Sequence, residues 1–302
     1  MMSEKMDVII ANPAGNTTIF VLTPVPLDRY QEVTGKLLDI DFKTGFGGAF
    51  AEGTFMEDIY ANEIKGEQLG FVLPDTPQGL PAMNMSGLEF CGNASRAFAF
   101  YKAVTMDPVP ETIRISVSGC DEPLTATIDV PGKDSKIQMP LPKLAATYSA
   151  QQLGIADRYP DMADGILVDM DGIFHLVLKD VDASPEIFEE IKAKFYPDSD
   201  TGDALTNFPA FGVMFYNTKS EILTPVVYVH EVATTYFEGS CASGTTATSF
   251  AASLSMPDGV HKMAFQQPAG TLFTEVTKES GQVTGVELNG LIELSDVITV
   301  EI

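Results

Sequence analysis

The sequence predicts an α+β fold made of two related halves. Short runs of β-branched and aromatic residues, bounded by turn residues, recur along the whole chain and are typical of strands. Helical periodicity is confined to three places, and two of these helices follow directly on a cysteine turn. Because strands, a cysteine turn and a helix occur in the same order in each half, we expect two α+β halves that face one another.

The individual elements follow from local patterns. Strands are predicted at Val8–Ala11, Thr18–Leu22, Ile113–Val117, Leu124–Ile128, Ile166–Val168, Phe174–Leu178, Val213–Tyr216, Val226–Val229, Thr271–Val276 and Val297–Ile302. Helices are predicted at Ala94–Thr105, at Pro185–Phe195 with Ser184 as N-cap, and at Thr245–Leu254, which is apolar all round and therefore buried.

The stretch 133–143, with Pro131 and Gly132 just before it and Pro140 and Pro142 within it, predicts the crossover between the halves. We therefore expect an N-terminal half at residues 1–137 and a C-terminal half at 138–290. The last strand, within residues 291–302, is expected to return to the N-terminal half.

Composition narrows the classes of partner. The 302 residues include 18 Lys and Arg against 42 Asp and Glu, a net charge of −24, which repels nucleic acid phosphates and anionic membranes. No apolar run reaches the length of a membrane helix, and the N-terminal residues lack the apolar region of a signal peptide. Three cysteines in a chain of this size indicate no disulfide framework, so we expect a cytoplasmic protein without nucleic acid or membrane partners.

The two cysteine turns carry the functional information. Cys91 lies in Glu89–Arg96 and Cys241 in Glu238–Thr245, and an apolar helix follows each turn. A helix N-terminus presents free N–H groups and a partial positive charge, which favour both a thiolate and a bound anion. The third cysteine, Cys120, lies in a turn between strands with no following helix, and we interpret it as structural.

Proton transfer at a carbon acid is the chemistry that suits these two turns best. A disulfide oxidoreductase would use a Cys-x-x-Cys pair, which is absent, and no Cys/His cluster indicates a metal site. A cysteine hydrolase stays formally open because the chain has His175, His230 and His261. With two thiols, one thiolate removes a proton from one face while the other thiol protonates the opposite face.

Several segments resemble the diaminopimelate epimerase family. Cys91–Ala97, with Met83–Gly87 before it, is similar to the first signature of that family, and Cys241–Ala247 to the second. Ala14–Thr17 and Thr44–Gly47 match two further glycine turns. The resemblance implies two pseudo-symmetric halves, each a curved sheet wrapped around a central helix. It also implies catalysis without pyridoxal phosphate, another cofactor or a metal, by a pair of cysteine bases.

The resemblance assigns roles by position. It makes Cys91 and Cys241 the two acid/bases. The substrate-binding residues it implies are Asn16 and Asn84, which would line the pocket, and Gly92, Asn93, Ala242 and Ser243, which would hold the α-carboxylate.

One departure from the family bears on the substrate. Diaminopimelate epimerases have a Glu-Arg pair before the second cysteine, whereas the corresponding stretch here, His230–Ala233, has no arginine. A substrate with a distal carboxylate would therefore lack its charge partner. A substrate with an imidazole or ammonium group could instead donate to Glu231, and Phe174 or Phe211 could stack on its ring. His175 itself is interpreted as a structural histidine.

The sequence therefore predicts a racemase of histidine or of another amino acid without a distal carboxylate. Diaminopimelate epimerase, an isomerase of an unsaturated acid on the same fold, and an amino acid-binding protein without catalysis are the alternatives. A homodimer is compatible with the resemblance. The sequence leaves open which cysteine is the thiolate at rest and the direction of flux.

Overall fold

The structure is a computed structural model that describes residues 4–40, 65–196, 210–230 and 233–302. The Thr44–Gly47 turn and Glu231 lie outside the described residues. The chain forms two compact units, Met1–Gln138 with Asn289–Ile302, and Met139–Leu288. We refer to them as the Cys91 unit and the Cys241 unit.

Strands dominate both units, and a few helices accompany them. The strands are β1 (Lys5–Pro13), β2 (Thr18–Val21), β3 (Gln68–Leu73), β4 (Ala82–Met85), β5 (Thr112–Val117), β6 (Leu124–Asp129), β7 (Asp134–Gln138), β8 (Lys143–Tyr148), β9 (Gly165–Asp169), β10 (Ile173–Lys179), β11 (Ala210–Asn217), β12 (Ile222–Val229), β13 (Thr234–Phe237), β14 (Gly259–Gln267), β15 (Gly270–Glu279), β16 (Gln282–Asn289), β17 (Ile292–Leu294) and β18 (Ile298–Glu301). The helices are α1 (Tyr30–Leu38), after a 3₁₀ turn at Leu27–Arg29, α2 (Gly92–Val104), α3 (Ala150–Leu153), α4 (Pro185–Phe195) and α5 (Ala242–Ser253). The predicted α+β class is confirmed. Among the described residues, no helix is both long and apolar enough to cross a bilayer.

The Cys91 unit is a mixed sheet around a buried helix. Strand β1 pairs antiparallel with β2, β17 and β18, and the sheet continues through β3, β4, β5, β6 and β7. Helix α2 contacts β1, β5, β6, β7 and β17, and Phe98 within it is fully buried. Because α2 is enclosed on most sides, the position of its N-terminus is fixed by the core.

The Cys241 unit also packs strands against a buried helix. Strands β8, β9, β10, β11, β12 and β13 form one run, in which only the β10–β11 pair is parallel, and β14 and β15 form a long hairpin. Helix α5 contacts β9, β10, β11, β14 and β15. On another face, α4 buries Ile187, Phe188 and Ile191. The predicted N-cap of α4 is confirmed, because Ser184 Oγ accepts the Ile187 N–H over 3.1 Å.

Helix α5 is buried although it is rich in hydroxyl groups. Those of Thr245, Thr246, Thr248, Ser249 and Ser253 are fully buried, and each donates to a carbonyl three or four residues earlier. Because the hydroxyls are satisfied within the helix, their burial leaves no unpaired donor. Because the side chains of α5 are also small, the sheet can approach the helix closely.

The turn before Cys91 depends on a glycine. Gly119 has φ +72°, and a Cβ atom there would lie 2.3 Å from the backbone nitrogen of Phe90, the residue before Cys91. Gly79 has φ +75° but has open space around it. A side chain at Gly79 would therefore meet only the conformational cost of a positive φ, whereas one at Gly119 would meet a steric cost as well.

We expect Gly79→Ala to lower the free energy of unfolding by about 1 kcal/mol, the cost of left-handed backbone for an L-residue. Gly119→Ala should lower it by roughly 1–3 kcal/mol more, because backbone must move to accommodate the methyl group. Urea unfolding of the two variants checks this. Equal losses would show that the contact with Phe90 carries no cost.

Candidate active site

Each candidate cysteine caps a buried helix with its sulfur. Cys91 precedes α2 with φ −127° and ψ 112°, and its Sγ accepts the Ala94 N–H over 3.4 Å. Cys241 precedes α5 with φ −126° and ψ 111°, and its Sγ accepts the Gly244 N–H over 3.3 Å. The predicted helices begin earlier than expected, at Gly92 and Ala242, because the cysteines are themselves the N-caps. Both sulfurs therefore sit at the positive end of a helix dipole.

Side-chain amides surround the Cys91 sulfur. Gln68, at the start of β3, donates from Nε2 to Cys91 Sγ over 3.3 Å, to Asn16 Oδ1 over 2.8 Å and to Thr18 Oγ1 over 2.9 Å. Asn16 Oδ1 itself lies 3.9 Å from Sγ. Asn16 also donates to Glu67 over 3.0 Å, and burial raises the pKa of Glu67 despite this hydrogen bond. The structure thus brings the predicted residue Asn16 to the predicted base Cys91.

A buried cation lies in the first turns of α2. Arg96 is fully buried, and its guanidinium donates to Asn93 Oδ1 over 3.2 Å and to the Gly290 carbonyl. Asp134 Oδ1 lies 3.9 Å from Nη1 of Arg96. Burial lowers the pKa of Arg96 to about 10, and the electrostatic interactions with Asp134 and Cys91 oppose this fall. Arg96 therefore keeps its charge at neutral pH, close enough to Cys91 to interact electrostatically.

The Cys241 sulfur has different surroundings. Its residue is 7% exposed, and Ser243 Oγ lies 3.6 Å from Sγ. Burial raises the pKa of the Cys241 thiol well above its usual value, and the charge of Glu238 and a hydrogen bond to it act in the same direction. The Ser243 and Gly244 donors oppose this rise. Whereas amides and a cation surround Cys91, a carboxylate and apolar core surround Cys241.

A buried histidine supports Ser243. The Nε2 atom of His175, on β10, lies 2.9 Å from Ser243 Oγ, and the imidazole is fully buried. Burial lowers the pKa of His175 to about 3, so the ring is neutral at pH 7. In the part of the chain that the structure describes, Nδ1 has no hydrogen-bond partner. A Cβ atom at Gly212 would lie 2.4 Å from Nδ1, so glycine leaves room for the ring.

The remaining predicted residues have other contacts. Asn84 lies on β4 and hydrogen-bonds the Tyr30 side chain. Phe211 is fully buried, with its ring centroid 4.7 Å from that of Phe195, so it serves the core. His230, next to Glu231 in sequence, stacks on Tyr196 with centroids 5.4 Å apart. Within the described ranges, no three His, Cys, Asp or Glu side chains group in a way that could hold a metal ion.

Gln68, Arg96 and Glu238 were not predicted as part of the site. An arginine five residues after a candidate base, in the first turns of a largely apolar helix, was a signal available in the sequence. Glu238, three residues before Cys241, was another. Gln68 had no such signal, because its contact with Cys91 spans 23 residues and depends on how β3 pairs.

Comparison with known proteins identifies the family. The sequence model described as "Histidine racemase CntK N-terminal domain" matches residues 56–297, well over half of the chain. The chain belongs to the histidine racemase family. A histidine racemase of Fusobacterium nucleatum is 30% identical over 249 residues, covering 82% of this chain and 80% of the relative. That of Staphylococcus aureus is 22% identical over 292 residues, covering 91% and 93%. As a member of this family, the chain is an isomerase of the racemase type, as predicted.

Solved structures share the fold of this racemase. A phenazine biosynthesis protein of the PhzF family from Bacillus anthracis has a TM-score of 0.62 at 12% identity, and each chain covers all of the other. A hydroxyproline epimerase from Agrobacterium vitis, solved with trans-4-hydroxy-L-proline, has a TM-score of 0.56 at 11% identity, covering 99% of this chain and 93% of that one. At these identities the likeness shows the mixed α+β fold alone.

We expect His175 to make the fold acid-sensitive. The unfolded chain binds a proton below the ordinary pKa of 6.5, whereas the folded imidazole does so only at about 3. The stability that the neutral ring contributes is therefore complete above pH 6.5 and is lost as the pH falls towards 3. The slope from this one group is about 1.4 kcal/mol per pH unit.

The variant His175→Gln places an amide near Nε2 but does not titrate. Urea unfolding at several pH values below 6.5 should give a shallower slope for it than for the wild type. His261→Gln, a change at a histidine bonded to the Pro257 carbonyl near the surface, is the matched control and should keep the wild-type slope. A slope in His175→Gln equal to that of the wild type would contradict this account.

Proposed function

We propose that this racemase interconverts L- and D-histidine by moving the α-proton through Cys91 and Cys241, without a cofactor. The observation that carries the proposal is the matched capping geometry of the two cysteines, in a chain of the histidine racemase family. Both sulfurs accept first-turn N–H groups of buried helices, which places each at the positive end of a helix dipole.

The proposed step uses each thiol once. A thiolate takes the α-proton, the Cα–H bond breaks, and its electrons move into the carboxylate as an enediolate. The other thiol then gives its proton to the opposite face of Cα, and the carboxylate is restored. In this step, the negative charge that develops on the carboxylate is stabilised by the N–H groups of Gly92, Asn93, Ala242 and Ser243, because helix N-termini stabilise anions.

The substrate assignment combines family membership with a feature of the sequence. No lysine or arginine occurs between Lys219 and Cys241, so a distal carboxylate would find no cation in the stretch that precedes the second cysteine. Glu231 follows His230, which lies in a cluster of aromatic rings with Tyr196. An imidazole side chain suits an aromatic surrounding with one carboxylate. Asn16, Asn84 and Glu231 are proposed to bind the substrate.

We also propose that the Cys91 and Cys241 units are pseudo-symmetric halves of the diaminopimelate epimerase type. The support is that each unit packs its strands around one central helix, and that a cysteine caps that helix in both. The return of the last strand has support from the pairing of β18 with β1. The proposed bounds are residues 1–137, 138–290 and 291–302.

We expect Cys91→Ser and Cys241→Ser each to lower the rate of histidine racemisation by roughly 10²–10⁴-fold, the usual contribution of a positioned acid or base. A serine hydroxyl has nearly the same size but is a far weaker acid. Chiral chromatography of histidine incubated with each variant measures the rate, and Cys120→Ser is the matched control that should keep wild-type activity. Full turnover by either variant would contradict the two-cysteine step.

A substrate panel tests the second half of the proposal. The wild-type enzyme should racemise histidine and show no epimerisation of diaminopimelate. If diaminopimelate alone reacted, the interpretation of the missing arginine would be wrong. Tight binding of one enantiomer of histidine without racemisation would instead indicate a binding protein.

A further inference from the structure

We propose that the two cysteines rest in opposite protonation states, Cys91 as the thiolate and Cys241 as the thiol. We further propose that Glu238 is a positioning residue that keeps the proton on Cys241. This inference rests on the proposed function and adds to it which cysteine acts as base in the resting enzyme.

The contacts of Cys91 favour a negative sulfur. Ala94 N–H at 3.4 Å and Gln68 Nε2 at 3.3 Å both point donors at Sγ, and an amide nitrogen cannot accept a proton from a thiol. As a thiol, Cys91 would donate to Asn16 Oδ1 over 3.9 Å, a longer contact than either of the two donors makes with Sγ. A thiolate accepts hydrogen bonds much better than a thiol does, so this set of donors stabilises the charged form.

The charged groups around Cys91 act in the same direction. Arg96 is fully buried, so solvent screens its positive charge only weakly at the sulfur. Asp134 Oδ1 lies 3.9 Å from Nη1 of Arg96, and the Asp134 carboxylate also accepts from Asn289 Nδ2 and the Gly290 N–H. Glu67 accepts from Asn16 Nδ2 over 3.0 Å, so it reaches the site through that amide. Arg96 therefore stabilises a negative charge on Cys91.

The contacts of Cys241 favour a proton on sulfur. Glu238 hydrogen-bonds the thiol, and an ionised carboxylate can only accept, so Cys241 must donate its S–H. Loss of that proton would place two negative charges side by side in a site where Cys241 is 7% exposed. His175, whose Nε2 lies 2.9 Å from Ser243 Oγ, is buried and neutral, so it adds no positive charge. Glu238 thus raises the free energy of the Cys241 thiolate.

This asymmetry defines the enzyme before and after turnover. At rest, Cys91 holds the electron pair that takes an α-proton, and Cys241 holds the proton that is given. After one turnover Cys91 is the thiol and Cys241 the thiolate, next to Glu238. The resting form returns when Cys91 loses a proton to water and Cys241 gains one from water.

The test is the pH dependence of alkylation of each thiol in the substrate-free wild-type enzyme. Only the thiolate reacts with iodoacetamide, so peptide mass spectrometry over a pH series gives a midpoint for Cys91 and for Cys241. We expect the Cys91 midpoint to lie at least about 2 pH units below that of Cys241. Limited access slows alkylation at all pH values and leaves the midpoint unchanged. Coincident midpoints, or the reverse order, would overturn the proposal.

The role of Glu238 has its own test. In Glu238→Gln the Cys241 midpoint should fall by about 1 pH unit, and the Cys91 midpoint should stay unchanged. The matched control is Glu279→Gln in the same unit. Glu279 follows Lys278, which bonds the Ser253 and Leu254 carbonyls at the end of α5 opposite to Cys241. An unchanged Cys241 midpoint in Glu238→Gln would overturn the role of Glu238. The order of the two midpoints in the wild-type enzyme tests the protonation states of the cysteines even if this variant does not fold.

These outcomes are separable from those of the proposed function. If the Cys91 midpoint lies below that of Cys241 but the enzyme does not racemise histidine, the proposed function is contradicted and the proposed protonation states are not. Racemisation of histidine with equal midpoints would overturn the asymmetry alone.

Discussion

The capping of a buried helix by a cysteine sulfur is the interaction on which the rest of this structure depends. In each unit the sulfur accepts the N–H three residues later, over 3.4 Å for Cys91 and 3.3 Å for Cys241. The helices are held by strands on several sides, so neither sulfur can shift without disturbing the core. In each unit, one cysteine is therefore both the N-cap of the buried helix and the candidate base.

The two capping cysteines have opposite electrostatic surroundings. Around Cys91 an amide donor and the buried Arg96 favour charge on the sulfur. Around Cys241 burial and Glu238 disfavour it, and the neutral His175 gives no compensation. The proposed two-base chemistry needs one acceptor and one donor at rest, and in the proposal the residues outside the shared motif supply that difference.

Local sequence patterns predicted the parts of this protein that depend on local physics. The α+β class, helix α4 with its Ser184 cap and the helices after both cysteines follow from periodicity and capping residues. The contacts that distinguish the cysteines are not local. Gln68 reaches Cys91 through the parallel pairing of β2 with β3, and His175 lies 68 residues from Ser243. No pattern within a single element specifies such pairings.

The central claim is that two thiols, one for each face, move the α-proton. The most direct measurement is the early racemisation of L-histidine in deuterated water, with mass spectrometry of both separated enantiomers. The account predicts that the D-histidine formed carries deuterium at Cα while the recovered L-histidine keeps its protium. Deuterium entering recovered L-histidine as fast as D-histidine forms would show one base serving both faces, and would contradict the account.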